Sequence, residues 1–356
     1  MSAPRLEINL DKLQHNARIL VERLGTRGIT VTGVTKAFLG NPVIASALLR
    51  AGVTSLGDSR IENIQTMRSA NLAASMSLIR SPMPSQIDQV VAFTDLSFNT
   101  ELAVIRLLSS AALKAKRIHG VILMVELGDL REGILPVDVD TIVPEILKLP
   151  NIQLRGIGSN LACRCGVSPD IRNMSELSAL ADAIEQRFAV KLEIVSGGNS
   201  GNLAWALSGA DTGRINDLRL GESILLGCET LHRDPVEGLY TDAITLVAEV
   251  IESKRKPTKP WGTLLQNAFG EQHEVIDIGD ISQTILAVGQ QDIDPAGLQT
   301  PEGIEILGAS SDHLIIDAGE LLVPGSEIRF TPNYSSLVRA MTSQYVIKQF
   351  TDSSPL

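Results

Sequence analysis

Residues 191–223 read KLEIVSGGNSGNLAWALSGADTGRINDLRLGES. Two short apolar runs, KLEIVSGG (191–198) and INDLRLG (215–221), each end in a glycine-containing turn that opens a helix-like segment. A turn of this kind exposes backbone N–H groups at a helix start, where an anion is favoured. One Gly-Gly turn alone is merely a turn. Two such turns on successive strands match the paired loops that form the usual phosphate site at the end of a (β/α)8 barrel.

Six more runs of the same kind precede these two: ITVTGVTK (29–36), VTSLGD (53–58), SMSLIR (75–80), TDLSFN (94–99), GVILMVEL (120–127) and LRGIGSN (154–160). Between them lie NPVIASALLRAG, ELAVIRLLSSAALKAK and MSELSALADAIEQRF, whose apolar residues recur every three or four positions as in amphipathic helices. Eight strands alternating with helices predict an α/β fold of the TIM type, a (β/α)8 barrel over residues 10–229. An open doubly wound sheet is the competing arrangement, but no GxGxxG fingerprint follows any strand. After CETLHRDPVEGLY the pattern changes. ITLVAEVIE (244–252), HEVIDIG (273–279), QTILAVG (283–289), IEILGASSDHLIID (304–317) and SEIRFTP (326–332) follow one another without long helices. They predict a mainly antiparallel β domain over 230–356, joined by an N-terminal strand within 1–9. KRKPTKPWG (254–262) reads as an exposed loop, and Asp11 as the cap of the first helix.

The composition narrows the function. The 356 residues carry a net charge of −10 and only 3% aromatic residues, which disfavours nucleic-acid partners. No apolar run reaches membrane length, and MSAPRLEINLD has no signal-peptide core. Three cysteines, two of them in CRC (163–165), make neither a disulfide framework nor a zinc site, so a reduced, cytoplasmic setting is expected. The 44% hydrophobic and 20% charged content fit a soluble globular protein of enzyme size, and no metal is expected.

Barrel enzymes carry their chemistry where the strands end. Those positions are Lys36, Asp58, Arg80, Asn99, Glu126 with Arg131, Asn160, the SGGNS turn, and Arg219 with Gly221. Lys36 closes an apolar strand. On its own it reads as a side chain snorkelling to water. Facing a phosphate cradle, it reads instead as an amine whose pKa is lowered enough to attack a carbonyl. A phosphate-bearing aldehyde that forms Schiff bases with lysine is pyridoxal 5'-phosphate.

The chain resembles the fold-type III pyridoxal-phosphate enzymes, the alanine racemase superfamily, and within it the ornithine racemase and alanine/ornithine racemase branch. VTGVTK, LGDSRIEN, VILMVELGDLREGI, GIGSNLACRCGV, LEIVSGGNS, INDLRLGESILLG and ILGASSDHLIID carry the likeness in order. The resemblance implies that Lys36 binds the cofactor covalently, and that Ser200, Gly221 and the backbone of Glu222 hold its phosphate, with Tyr334 as a further phosphate ligand. It implies Arg219 opposite the pyridine nitrogen, Arg131 at the cofactor hydroxyl and substrate carboxylate, and Asn160 beside the ring where alanine racemases have a histidine. A guanidinium cannot accept a proton, so Arg219 leaves a weaker electron sink that favours returning the proton to Cα. Asp58 and Glu126 are expected near the second amine of a basic substrate, with ion pairing to Arg60 or Arg131 as the competing role.

One family feature is missing. Alanine racemases take a second base, a tyrosine in a VGYADG-like segment, from the partner of a homodimer. The matching AVGQQDID (287–294) has Gln290 there. In the SMD-like segment SSDH (310–313), Asp312 and His313 are the candidates, and an imidazole is the one that titrates near neutral pH. The expected activity is therefore amino-acid racemisation, with ornithine or another basic amino acid as substrate. A fold-type III decarboxylase or aldolase and a non-catalytic pyridoxal-phosphate carrier are the competing readings. The carriers lack a second domain, and the decarboxylases usually carry an acid in place of Arg219.

Overall fold

The computed structural model describes residues 2–266, 269–270 and 276–351. The chain divides into two compact units, one made of Leu10–Thr241 and the other of Met1–Asn9 with Asp242–Leu356.

Strand β1 (Arg5–Asn9) belongs to the second unit. The first unit holds β2 (Thr30–Val34), β3 (Ser55–Asp58), β4 (Ser75–Leu78), β5 (Leu96–Asn99), β6 (His119–Met124), β7 (Ile152–Gly158), β8 (Ile194–Gly198) and β9 (Asp217–Leu220). These eight pair in parallel and close, β9 returning to β2, into a barrel with a helix after every strand. All eight apolar runs of the sequence are these strands. They are legible because barrel strands are buried on both faces and so read as continuous apolar segments; every residue of β5 and β6 is buried. Leu96, Phe98, Ile122 and Met124 fill the interior, with Ile79 and Ile194 against them. Gly156 is required where β7 meets β8, since a Cβ there would lie 1.9 Å from the Ile194 carbonyl oxygen.

Helix starts follow their local chemistry. Asn41 accepts the Val43 N–H ahead of Pro42, and Asp170 forms a capping box with Asn173. The first helix spans Leu10–Gly25, so Asp11 lies inside its first turn rather than capping it. Residues 230–241, expected in the β domain, belong to the barrel unit instead. The Val236 N–H donates to the Gly227 carbonyl, and Asn16 of the first helix bonds the Tyr240 backbone through both its amide groups.

The second unit is an antiparallel sheet formed by β10 (Ile244–Pro257), β11 (Asp280–Leu286), β12 (Leu298–Gln299), β13 (Glu305–Ala309), β14 (Leu314–Asp317) and β15 (Glu327–Pro332). Its order is β12-β15-β10-β11-β14-β13, with β1 beside β10 and parallel to β16 (Ile347–Thr351). The first four residues of the expected loop at 254–262 continue β10, held in register by Gln283, Ser282, Ile281 and Asp280 of β11. In the expected strand 273–279, residues 273–275 lie outside the described residues, and 276–279 carry no strand pairing. Among the described residues, no helix is long and apolar enough to cross a membrane.

Candidate active site

β2 stops at Val34, and Lys36 opens a 3-10 turn immediately beyond it, at the C-terminal mouth of the barrel. Its side chain is exposed to the space in the mouth. Desolvation by the surrounding protein pushes the ammonium pKa below its ordinary value. The thiol of Cys163 and the carboxylate of Asp58 work against that shift, while Arg131 and Arg219 add to it. Four elements of the mouth thus act on one amine.

Arg219, in β9, is 4% exposed. Its guanidinium donates to Ser196 Oγ at 2.5 Å, to the Ser159 carbonyl at 2.8 Å and to Asn160 Oδ1 at 3.2 Å, and it lies 4.9 Å from the Phe98 ring centroid. Burial lowers its pKa to about 10, with Asp217 opposing the shift, so it stays a cation at neutral pH. Ser196 in turn donates to Asp217, which also accepts from Thr32 Oγ1 at 2.6 Å. Asn160 is tied to the next loop as well, accepting from the Asn199 amide at 3.2 Å.

The two glycine turns meet as expected. Ser200 and Ser223 hydroxyls lie 3.0 Å apart, and the Ser223 N–H donates to Ser200 Oγ at 3.2 Å. The helix Glu222–Leu226 starts at Gly221 without a side-chain cap, which leaves backbone donors there for an outside acceptor. A Cβ on Gly221 would press on Val34 at 3.1 Å, so these donors sit hard against the strand that leads to Lys36. The Thr230 hydroxyl is buried with no partner among the described residues. It lies 3.2 Å from where a Cβ on Gly201 would stand, a position for which the sequence carries no signal. Hydroxyls, uncapped N–H groups and an orphaned hydroxyl are a donor set for phosphate; with an amine and a buried guanidinium in the same mouth, the residues fit pyridoxal phosphate. The Glu222 side chain pairs with Arg233, leaving only its backbone for such a ligand.

Two expected roles change. Asp58 is fully buried. Its carboxylate accepts from Thr35 Oγ1 at 2.5 Å, the Arg60 N–H at 2.8 Å and the Asn63 amide at 3.0 Å. It is a structural anchor beneath Lys36, not a receptor for a substrate cation, because its lone pairs are already committed. Desolvation nonetheless raises its pKa, with these donors opposing the shift. Glu126 is likewise occupied by the N–H groups of Gly128 and Arg131, at 2.6 and 3.0 Å. Arg131 itself is partly exposed and pairs with Glu132 at 2.5 Å, and its Nη1 lies 2.9 Å from Cys163 Sγ.

Asp129 had no place in the sequence reading. It is fully buried and accepts the backbone N–H groups of Cys163, Arg164, Cys165 and Val167, which staples the loop after β7 to the loop after β6. Its partners are main-chain atoms, so no side-chain pattern announces it.

The remaining expected residues lie on the second unit. Gln290 and Gln291 donate their N–H groups to the Ser310 and Ser311 carbonyls, joining the 287–294 segment to the 310–313 turn between β13 and β14. His313 Nδ1 lies 3.0 Å from Asp312 Oδ1, and both side chains are exposed. Being in a turn, they do not alternate across a strand, and Asp312 orients the imidazole. Hydrogen bonding from Ser311, with His313 adding to it, holds the Asp312 carboxyl below its ordinary value. Tyr334 opens the helix Tyr334–Thr342 behind the cap Asn333.

The family described as "Alanine racemase, N-terminal domain" matches residues 8–227. The chain is 37% identical to the ornithine racemase of Acetoanaerobium sticklandii, over 97% of this chain and 99% of that one. It is 36% identical to the lysine racemase of Thermotoga maritima, over 99% and 100%. In fold it is similar to the alanine racemase of Streptomyces coelicolor A3(2), with a TM-score of 0.77 at 20% identity, covering 98% of this chain and 97% of that one. It is also similar to the D-threonine aldolase of Filomicrobium marinum, with a TM-score of 0.73 at 15% identity over 96% and 89%. The fold alone therefore serves more than one reaction.

Proposed function

The chain belongs to the alanine racemase family and is an amino-acid racemase, and on that premise we propose that it interconverts the enantiomers of a basic amino acid, ornithine or lysine, with pyridoxal phosphate bound at Lys36. The observation that supports the reaction is Arg219, a buried cation in the same barrel mouth as Lys36. When bound, pyridoxal phosphate supplies a carbonyl for Schiff-base formation and an electron sink that acidifies the substrate Cα–H.

Ser200 and the backbone of Gly221 and Glu222 would hold the phosphate, with Asn160 beside the ring. Arg219 is a donor at its nitrogens and an acceptor at none, and it keeps its protons at neutral pH, so it would hydrogen-bond the ring nitrogen without protonating it. Lys36 Nζ would take the Cα proton of one enantiomer on its side and, in the reverse direction, give a proton to Cα there. Its lowered pKa keeps a larger share of the amine in the neutral, accepting form at working pH. Arg131 orients the substrate through its carboxylate. His313, held by Asp312, handles the proton on the opposite side, in a homodimer where the 310–313 turn of each copy serves the other copy's barrel. The two curated relatives named for ornithine and lysine support the basic substrate.

The test is a panel of L- and D-amino acids incubated with purified protein and resolved by chiral chromatography. Ornithine or lysine should racemise from both enantiomers with a higher kcat/KM than alanine. Alanine matching or exceeding them would reject the proposed substrate class.

A further inference from the structure

A basic amino acid whose α-amine is engaged by the cofactor presents one carboxylate and one distal ammonium. The barrel mouth carries a pair of the opposite polarity on adjacent residues. Arg131 and Glu132 bond each other at 2.5 Å, with about a third and a quarter of their side chains exposed. We propose that Glu132 receives the distal ammonium, and that the Arg131–Glu132 ion pair opens on binding so that each partner takes the oppositely charged end of the substrate. This rests on Arg131 taking the substrate carboxylate, as above.

Three observations support it. Four other acids at the strand ends are committed elsewhere: Asp58 to Thr35, Arg60 and Asn63, Glu126 and Asp129 to backbone N–H groups, and Glu222 to Arg233. Glu132 sits on the loop that follows β6, and the carboxylate is held 2.5 Å from Arg131, whose Nη1 lies 2.9 Å from Cys163 on the loop after β7. The loop backbone is fixed on both sides of the pair. Glu126 accepts the Arg131 N–H, and the Ile134 N–H donates to the Met124 carbonyl while its own carbonyl accepts from Glu126. Gly133, at φ +145°, passes so close to the strand end that a Cβ would lie 2.3 Å from the Glu126 nitrogen. Opening the pair is therefore a matter of side-chain rotation.

The arrangement selects in both directions. A substrate with a distal ammonium replaces the broken ion pair with two new ones. An uncharged side chain of the same length draws Arg131 away and leaves Glu132 with no cation in return.

The experiment compares ornithine with norvaline, which matches its chain but lacks the distal amine, in the wild type and in Glu132→Gln. Retained absorbance of bound cofactor verifies the folded site. The inference expects the ornithine-to-norvaline ratio of kcat/KM to fall roughly tenfold or more in Glu132→Gln, chiefly through KM for ornithine. Calorimetric titration should show the same loss in ornithine binding, and Glu132→Asp should retain part of the selectivity. An unchanged ratio in Glu132→Gln overturns the assignment of Glu132. If that variant does not fold, loss of selectivity in Glu132→Asp supports the assignment only when accompanied by weaker ornithine binding, and full selectivity with unchanged binding overturns it. A wild type that does not prefer ornithine to norvaline would instead refute the basic-substrate proposal itself.

Discussion

Replacing Asp129 with alanine should release the loop 161–167 from the barrel mouth without unfolding the barrel. The carboxylate accepts the Arg164 N–H at 2.8 Å and the Cys165 N–H at 3.1 Å, with weaker bonds from Cys163 at 3.3 Å and Val167 at 3.4 Å. A hydrogen bond to a charged group contributes about 1.5 kcal/mol or more, so the two short bonds together account for roughly 3 kcal/mol. Cys163, Arg164 and Cys165 are exposed, and their freed N–H groups can turn to water, so the cost stays local. A local opening made about 3 kcal/mol easier raises amide exchange by roughly two orders of magnitude. Hydrogen exchange read by mass spectrometry on peptides spanning 161–168 measures this directly. KM should rise with it, because the stapled loop seats Cys163 against Arg131. Burial works to raise the Asp129 carboxyl, but the N–H groups of Arg164, Cys165, Val167 and Cys163 outweigh it and hold it below the ordinary value. A depressed carboxylate stabilises above its unfolded pKa and loses that contribution only as pH falls through the folded one. Protection of these four amides should therefore persist to about pH 4, where an ordinary aspartate is half protonated. Unchanged exchange in Asp129→Ala would show that the loop is held by something else.

Lys36→Ala should abolish both the visible absorbance of bound cofactor and racemisation while leaving the circular dichroism intact; a borohydride-reduced adduct mapped to another lysine would refute the assignment. His119 is buried beside Ser97, and desolvation, with Arg117 adding to it, pushes its pKa down to about 4. A base with a depressed folded pKa destabilises as pH falls below its unfolded value near 6.5, so up to about 3 kcal/mol should be lost by pH 4. Urea midpoints between pH 7 and pH 4.5 should show a steeper loss in wild type than in His119→Asn, and equal slopes would count against it. His313→Gln should keep bound cofactor yet lose racemisation in both directions. Mixing it with Lys36→Ala should restore part of the activity through hybrid dimers, and failed complementation by two confirmed inactive variants would exclude the shared site.

The sequence by itself determined the barrel. Its eight strands are buried on both faces, so apolar continuity marks each one, and the turns that end them place Lys36, Arg131, Asn160, Ser200, Arg219 and Gly221 at one rim. It could not reveal which carboxylates of that rim remain open to a ligand. Asp58, Glu126 and Asp129 are acids near strand ends like Glu132, yet the first three are consumed by local donors, most of them backbone N–H groups that every residue possesses. β16 escaped notice for a similar reason. IKQFT has no clear alternation, and its place is set by its parallel register with β1 at the far end of the chain. β10 extends through Lys254–Pro257 because β11 supplies hydrogen-bonding partners, overriding the polar residues that suggested a loop. Apolar periodicity is written in side chains and survives in one dimension. Which polar atoms are already satisfied depends on donors and acceptors brought together by folding, and only the tertiary structure decides that.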